Sequence, residues 1–246
     1  MPRAIAIETS GRIGSIAVVA DNQILAEEQF PHGLQHAAHI VPMIDRLTRG
    51  QGWTPRDIEH LYVSVGPGSF TGLRIGVTLA KAMALTTGVK IVAVPSVRVL
   101  VENAQEDAQH VNIVLDAKRD QIFTARFERQ PSGWMEREPA HLDDLASMLA
   151  RCPRPAHLIG EGIPYHQKFI PKEQVTSSPP STGERWSGAG VIITDQTLWR
   201  ARASVVAMIG TQLARQNHFA DPMTLTPIYI RRPEAEEKFE QQHRTG

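Results

Sequence analysis

The string Val65-Gly66-Pro67-Gly68-Ser69-Phe70-Thr71-Gly72-Leu73-Arg74-Ile75-Gly76 constrains the fold more than any other part of the chain. It follows an apolar run, His60–Val65, and leads into Leu73, Val77, Ala80 and Ala84 at helical spacing. The order is therefore strand, glycine turn, helix N-terminus. Such a junction offers several backbone N–H groups and the positive end of a helix dipole, which suit an anion. It equally suits the close approach of another backbone, because glycine carries no side chain. The Lys-Ser/Thr ending of a phosphate-cradling P-loop is missing. The dinucleotide fingerprint is broken as well: the third glycine falls late, at Gly72, and Pro67 removes a donor.

The chain has 246 residues, enough for one large domain or two small ones. Its 26 basic and 26 acidic residues give a formal net charge of zero. A protein that grips RNA largely by itself usually has a basic excess, so this neutrality assigns RNA contact to a partner. The local basic clusters at Arg200–Arg202 and Arg231-Arg232 read as solvated surface. A lone cysteine, Cys152, excludes an internal disulfide and a cysteine zinc cage, and reads as a structural thiol. No apolar run is long enough to span a membrane, and the expectation is a soluble cytoplasmic protein.

Along the chain, residues 3–9 read as a buried strand, and Ser15–Ala20 and Ile24–Phe30 as a hairpin around Asp21-Asn22. His36–Arg49 reads as a helix with Pro42 inside it, either kinked there or starting late. Thr54-Pro55-Arg56-Asp57 has the pattern of a helix start. Leu61–Val65 is expected as a strand, Leu73–Thr87 as a helix capped by Gly88, Lys90–Val94 as a strand, and Ser96 as the cap of a helix reaching Gln105. The pattern then restarts. Val111–Leu115, Gln121–Glu128 and Trp134–Arg137 read as strands, His141–Arg151 as a helix and His157–Gly160 as a strand. Residues 171–195 read as loop, Thr197–Asn217 as one long amphipathic helix, and Glu234–Gly246 as a charged tail. Two successive strand–strand–strand–helix–strand units suggest duplicated lobes.

The glycine string resembles the signature of the TsaB (YeaZ) family, the dimerisation subunit of the bacterial complex that makes threonylcarbamoyladenosine in tRNA. Three further segments agree in order: Ala6-Ile7-Glu8-Thr9-Ser10, Leu115-Asp116-Ala117-Lys118-Arg119-Asp120-Gln121-Ile122-Phe123, and Pro227-Ile228-Tyr229-Ile230-Arg231. The resemblance implies an α/β, two-lobed actin/hexokinase/Hsp70-like fold, each lobe a mixed sheet with flanking helices. The lobes would divide as residues 1–106 and 107–246, with the last helix, about 197–218, packing back on the first. It implies a non-catalytic scaffold that pairs with TsaD, or with a second copy when TsaD is absent. An ATPase partner, TsaE, and ATP or ADP at the shared interface are implied too, with tRNA met only through the complex. The interface would use the two helices of the first lobe: His36, Ile40, Met43, Ile44 and Leu47 on one, and Phe70, Leu73, Arg74, Gly76, Val77 and Ala80 on the other. The alternative is that these stripes pack only on the protein's own sheet, since core-facing stripes look the same in sequence.

The candidate catalytic groups are weak. His32, His36 and His39 include an H-x-x-x-H spacing, but Gly33 stands where a metalloprotease needs Glu, so no metal site is expected. TsaD carries its metal histidines just after the first lobe's final strand. The matching Pro95–Glu102 stretch here has none. Glu8, where this fold's ATPases and the nearer family have Asp, and Asp116 end the first strands of the two lobes. With Thr9, Ser10, Gly66 and Gly68 they are the candidates for nucleotide or anion contact, and Ile159-Gly160-Glu161-Gly162 is a weak adenosine turn. Ser69 and Thr71 keep a glycoprotease-type peptidase open as the rival reading, beside a weak ATPase, although the nucleophile-elbow spacing fails.

Overall fold

A computed structural model describes residues 2–30, 36–171, 175–176 and 190–231. The first sheet has the strand order β3-β2-β1-β4-β5, built from Ala4–Glu8 (β1), Gly14–Ala20 (β2), Gln23–Phe30 (β3), His60–Gly66 (β4) and Lys90–Pro95 (β5). Strand β1 pairs antiparallel with β2 and parallel with β4. The second sheet repeats this scheme. Its first strand, His110–Asp116 (β6), pairs antiparallel with Ile122–Gln130 (β7) and parallel with Ala156–Ile159 (β9). Gly133–Asp143 (β8) extends one side, and Val191–Ile193 (β11) and Val175–Thr176 (β10) the other. The duplication expected from the strand pattern is present in the topology.

Helices fill three layers. His36–Gly50 (α1) and Phe70–Thr87 (α2) cover the outer face of the first sheet, where Ile5, Ile7, Val63 and Ile91 meet Ile40, Met43, Ile44, Leu47, Val77 and Ala80. Between the sheets lie Ser96–Val101 (α3) and Ala203–Arg215 (α6). Strand alternation puts Ala4 and Ala6 on this inner face, and small residues there let α6 come close. Gly210 of α6 rests on the Tyr62 ring, where a Cβ would come within 2.4 Å. Leu145–Arg151 (α4) and Ile163–His166 (α5) cover the far face of the second sheet with Leu145, Met148, Leu149 and Ile163. Helix α6 therefore contacts β1, β2, β4 and β5 of the first sheet although it follows the second in sequence.

Several expected boundaries move, each for a local reason. The Asp21-Asn22 hairpin forms with both residues left-handed, φ 52° and 62°. Helix α1 neither starts late nor stops at Pro42, which lies within it. The helix expected from His141 begins instead at Leu145. Strand β8 stays paired to β7 as far as Asp143, and Asp144 then caps the helix by accepting from Ser147 N at 2.8 Å. Ser96 is the first residue of α3 and not its cap, and α3 ends at Val101. The long helix expected from Thr197 is two pieces, a 3-10 turn over Gln196–Trp199 and then α6 from Ala203. The Asn103 side-chain amide donates to the carbonyls of Leu198 (3.1 Å) and Arg200 (2.7 Å), which takes both out of a helical ladder. The expectations for His32, Arg232, residues 234–246 and most of 171–195 lie outside the described residues.

Candidate functional site

The glycine string folds as expected and its glycines serve backbone approach. Ser69 N donates to Ser10 O at 2.7 Å, drawing the loop onto the end of β1. A Cβ on Gly68 would lie 2.4 Å from Ser10 O, and one on Gly72 would lie 2.0 Å from Thr9 O. Ser69 Oγ accepts from Gly72 N at 3.3 Å and so caps α2, which starts at Phe70, three residues earlier than the periodicity indicates. Gly88 closes α2 in a left-handed cap, φ 78°. The anion reading of this loop loses ground, because Ser10, Thr9 and Ser69 already fill its surroundings.

The Pro227–Arg231 segment crosses both candidate regions. Ile228 N donates to Val65 O at 2.7 Å, beside the glycine loop. Four residues' length further on, Arg231 donates to Ala117 O and Gln121 Oε1 in the β6–β7 turn of the second sheet. Three of the four family-like strings, far apart in sequence, thus meet along one strap. The fourth, residues 6–10, lies under the glycine loop.

On the open side of this junction stands an aromatic–cationic cluster. The Arg74 guanidinium lies 3.9 Å from the Phe70 ring centroid, and its Nε donates to Tyr229 Oη at 3.0 Å. The Phe70 and Tyr229 rings are 5.1 Å apart. Both are open to solvent, 37% and 38% exposed, with Ile228 beside them at 42%. Phe70 and Arg74 belong to the expected interface. Most of the rest of that set does not face outward. Ile40, Met43, Ile44, Leu47, Leu73, Gly76, Val77 and Ala80 are buried within the chain. They correct the sequence expectation, because these stripes cover the protein's own sheet. Gly76 shows the reason: a Cβ there would sit 2.5 Å from Thr9 Oγ1. Helix α1 instead exposes Val41, and α2 exposes Arg74, Thr78 and Leu85. Of the His36 side chain nothing is described, and His39 is exposed.

The two end-of-strand carboxylates are held differently. Glu8 is fully buried, and its Oε1 accepts from Ser10 N (2.5 Å) and Ser10 Oγ (2.6 Å). Burial pushes its carboxyl above the ordinary value of 4.5 despite those bonds, and Glu161 adds to the rise. Glu8 Oε2 and Thr9 Oγ1 are buried without a hydrogen-bond partner among the described residues. Asp116 is partly open. Burial would raise it, but Lys118 Nζ (2.8 Å), Lys118 N (3.1 Å) and His166 Nε2 (3.2 Å) outweigh that and hold it below 3.8. Glu161 of the expected adenosine turn reaches across to accept from Arg12 N at 2.8 Å. The N–H groups of Ser10, Arg12 and Lys118, at the turns where an ATPase of this fold would meet phosphate, all donate to the chain's own carboxylates.

The rival nucleophiles fare no better. Ser69 Oγ is spent on its helix cap, and among the described residues no histidine hydrogen-bonds to it. Cys152 is buried, donates to Leu149 O at 3.5 Å, and burial raises its thiol. Among the described residues no three His, Cys, Asp or Glu side chains are grouped to hold a metal, and no helix is long and apolar enough to cross a membrane. Helix α3, on the stretch that would carry the metal histidines, holds Ser96 instead, whose Oγ accepts from Gly66 N at 3.1 Å.

Residues 32–190 match the family described as TsaD: tRNA N6-adenosine threonylcarbamoyltransferase. The chain is 28% identical to the tRNA threonylcarbamoyladenosine biosynthesis protein TsaB of Bacillus subtilis over 239 residues, 96% of each chain. The chain belongs to the TsaB (YeaZ) family. It is also 30% identical to TsaB of Escherichia coli over 134 residues, 53% of this chain and 57% of that one. The structure of YeaZ from Pseudomonas aeruginosa superposes with a TM-score of 0.73 at 18% identity, covering 93% of this chain and 100% of the other. The fold is that of YeaZ, two mixed sheets with flanking helices in the actin/hexokinase/Hsp70-like arrangement expected from the sequence. Tyr229 and Arg231 were legible only as parts of a family-like string. Nothing in the local sequence places them against Arg74 and Ala117.

Proposed function

We propose that this chain is the non-catalytic subunit that binds and activates TsaD for threonylcarbamoyl modification of the tRNA adenosine beside the anticodon. The observation that carries the reading is the exposed Phe70–Arg74–Tyr229 cluster at the start of α2, built by the family's own glycine and Pro227–Arg231 strings. Aromatic and arginine side chains on a rigid helix end are the groups that dominate protein interfaces. The occupation of the turn N–H donors by Glu8, Glu161 and Asp116 supports a scaffold over an ATPase. The burial of Ile40, Met43 and Ala80 moves the TsaD contact to the outward residues of α1 and α2. In this reading the chain works in the cytoplasm, TsaE joins as the ATPase, ATP or ADP sits at the shared interface, and two copies of the chain pair through the same cluster when TsaD is absent. The division into lobes at residues 106/107 is part of the same proposal.

The test mixes the chain with its host's TsaD and follows mass by light scattering and tRNA modification together. A one-to-one complex, with activity only in the mixture, is expected. Phe70→Asp should weaken association roughly 30-fold, the size of an interface hot spot, while leaving the chain folded because the ring is open to solvent. Unchanged association, or modification by this chain alone, would overturn the reading. Gly76→Arg is no test of an interface, since it strikes Thr9.

A further inference from the structure

A second exposed surface lies where the two sheets' loops meet, and the proposed role does not use it. Tyr165 and Phe169 stand open there, 41% and 39% exposed. Cations from both sheets crowd Tyr165. The Arg12 guanidinium, from the β1–β2 loop, is 4.9 Å from the ring centroid, and Lys118 Nζ, from the β6–β7 turn, is 5.8 Å away. Lys168 Nζ lies 4.6 Å from the Phe169 ring. Arg119 follows Lys118 in the exposed turn.

Three carboxylates share the surface, and they position the cations. Asp116 holds Lys118 at 2.8 Å and Asp120 holds Lys168 at 3.0 Å. Glu161 takes the backbone N–H of Arg12 and not its guanidinium, which has no ion pair among the described residues. Cations outnumber carboxylates here, in a chain whose net charge is zero.

The turn that presents Lys118 and Arg119 is strained. Lys118, Arg119 and Asp120 all have positive φ, 64°, 53° and 55°. L-residues in sequence rarely adopt this conformation, and glycine would relieve it. The chain instead keeps three charged side chains there and grips the turn with Arg231. Strain held in place by a buried clamp on an exposed, charged turn is the pattern of a functional surface.

We propose that Arg12, Lys118, Arg119, Tyr165, Lys168 and Phe169 form an RNA-contacting surface, with cations meeting phosphates and the open rings and Arg12 meeting unstacked bases. Planar rings interleaved with cations are how single-stranded or looped RNA is held. An acidic protein surface would satisfy the cations but leave both rings unused. The inference rests on the proposed part in tRNA modification and names a direct contact between this subunit and the tRNA.

The experiment measures tRNA binding to the assembled complex with TsaD as a function of salt. The charge-removing variant is Arg12→Gln with Lys118→Asn and Arg119→Asn, since Asn tolerates the left-handed backbone. It should weaken binding about tenfold and flatten the salt dependence by about two phosphate contacts. Tyr165→Ala should weaken binding without changing that slope, and Tyr165→Phe should restore it. Arg56→Gln, on a distant exposed arginine, should change neither. Unchanged affinity and slope in the triple variant would overturn the RNA surface while leaving the scaffold reading intact. So would loss of a protein partner with tRNA binding unchanged, which would make the surface a protein contact. If the wild-type chain forms no complex with TsaD, the scaffold reading fails, and the same salt titration on the chain alone decides the RNA surface.

Discussion

Glu8 and Asp116 end the first strands of two sheets with the same pairing scheme, yet one carboxyl is pushed up in pKa and the other down. Around Glu8 the chain is dense. Gly68 and Gly72 let the loop press onto Ser10 O and Thr9 O, so water is excluded and the charged form is disfavoured. Around Asp116 there is no glycine turn. The backbone bends through three left-handed L-residues, stays open, and brings Lys118 and His166 to the carboxylate. One topology thus yields a sealed corner and an open, charged one. The difference lies in whether glycine or strained side-chain-bearing residues make the turn.

The largest effect that could break this comparison is at the sealed corner. Gly72→Ala places a methyl 2.0 Å from a backbone carbonyl, which cannot move aside as a flexible side chain would. It should cost about 3 kcal/mol or more, at or beyond the upper end of overpacking costs. Chemical denaturation with the midpoint unchanged would show that the corner is not closed as described. Next comes Arg231→Ala, which removes charge-assisted bonds to Ala117 O and Gln121 Oε1 and leaves the strained turn unclamped. A loss of about 1.5–3 kcal/mol is expected, together with faster amide exchange at Lys118–Gln121. Exchange unaltered in that turn would mean the strap does not hold it.

The smallest effects concern the two carboxylates, and they have opposite signs. The raised Glu8 favours its protonated form in the folded state, so its contribution is complete below about 4.5 and is lost as pH rises through the folded-state value. Glu8→Gln should therefore be more stable than the parent at neutral pH, with the gap closing in acid. The lowered Asp116 contributes above its unfolded value of 3.8, and that contribution is lost as pH falls through the lower folded value. Asp116→Asn should be less stable at neutral pH, again converging with the parent in acid. Stability–pH curves for the two variants that deviate from the parent in the same direction would remove the contrast.

Much of the fold could be read from local pattern. The glycine junction, the Asp21-Asn22 hairpin, the Gly88 cap and the repeated strand–strand–strand–helix–strand order follow from backbone preferences and hydrophobic period, which act within a few residues. The site was legible only in part. Phe70 and Arg74 were named, but so were Ile40, Met43, Leu73 and Ala80, because an apolar stripe is the same whether it meets the protein's own sheet or a partner. The broken helix before α6 was missed because the side chain that breaks it, Asn103, lies some ninety-five residues away.

By itself the sequence determined the fold class, the glycine-led strand-to-helix turn and membership of the TsaB (YeaZ) family, since each rests on residue type at short, fixed spacing. Tertiary structure alone decided which faces of α1 and α2 are buried, that the Pro227–Arg231 strap joins the glycine loop to the β6–β7 turn, and that Arg12 and Lys118 flank Tyr165. Those are contacts between residues far apart in the chain, and they form only when the two sheets pack around α3 and α6.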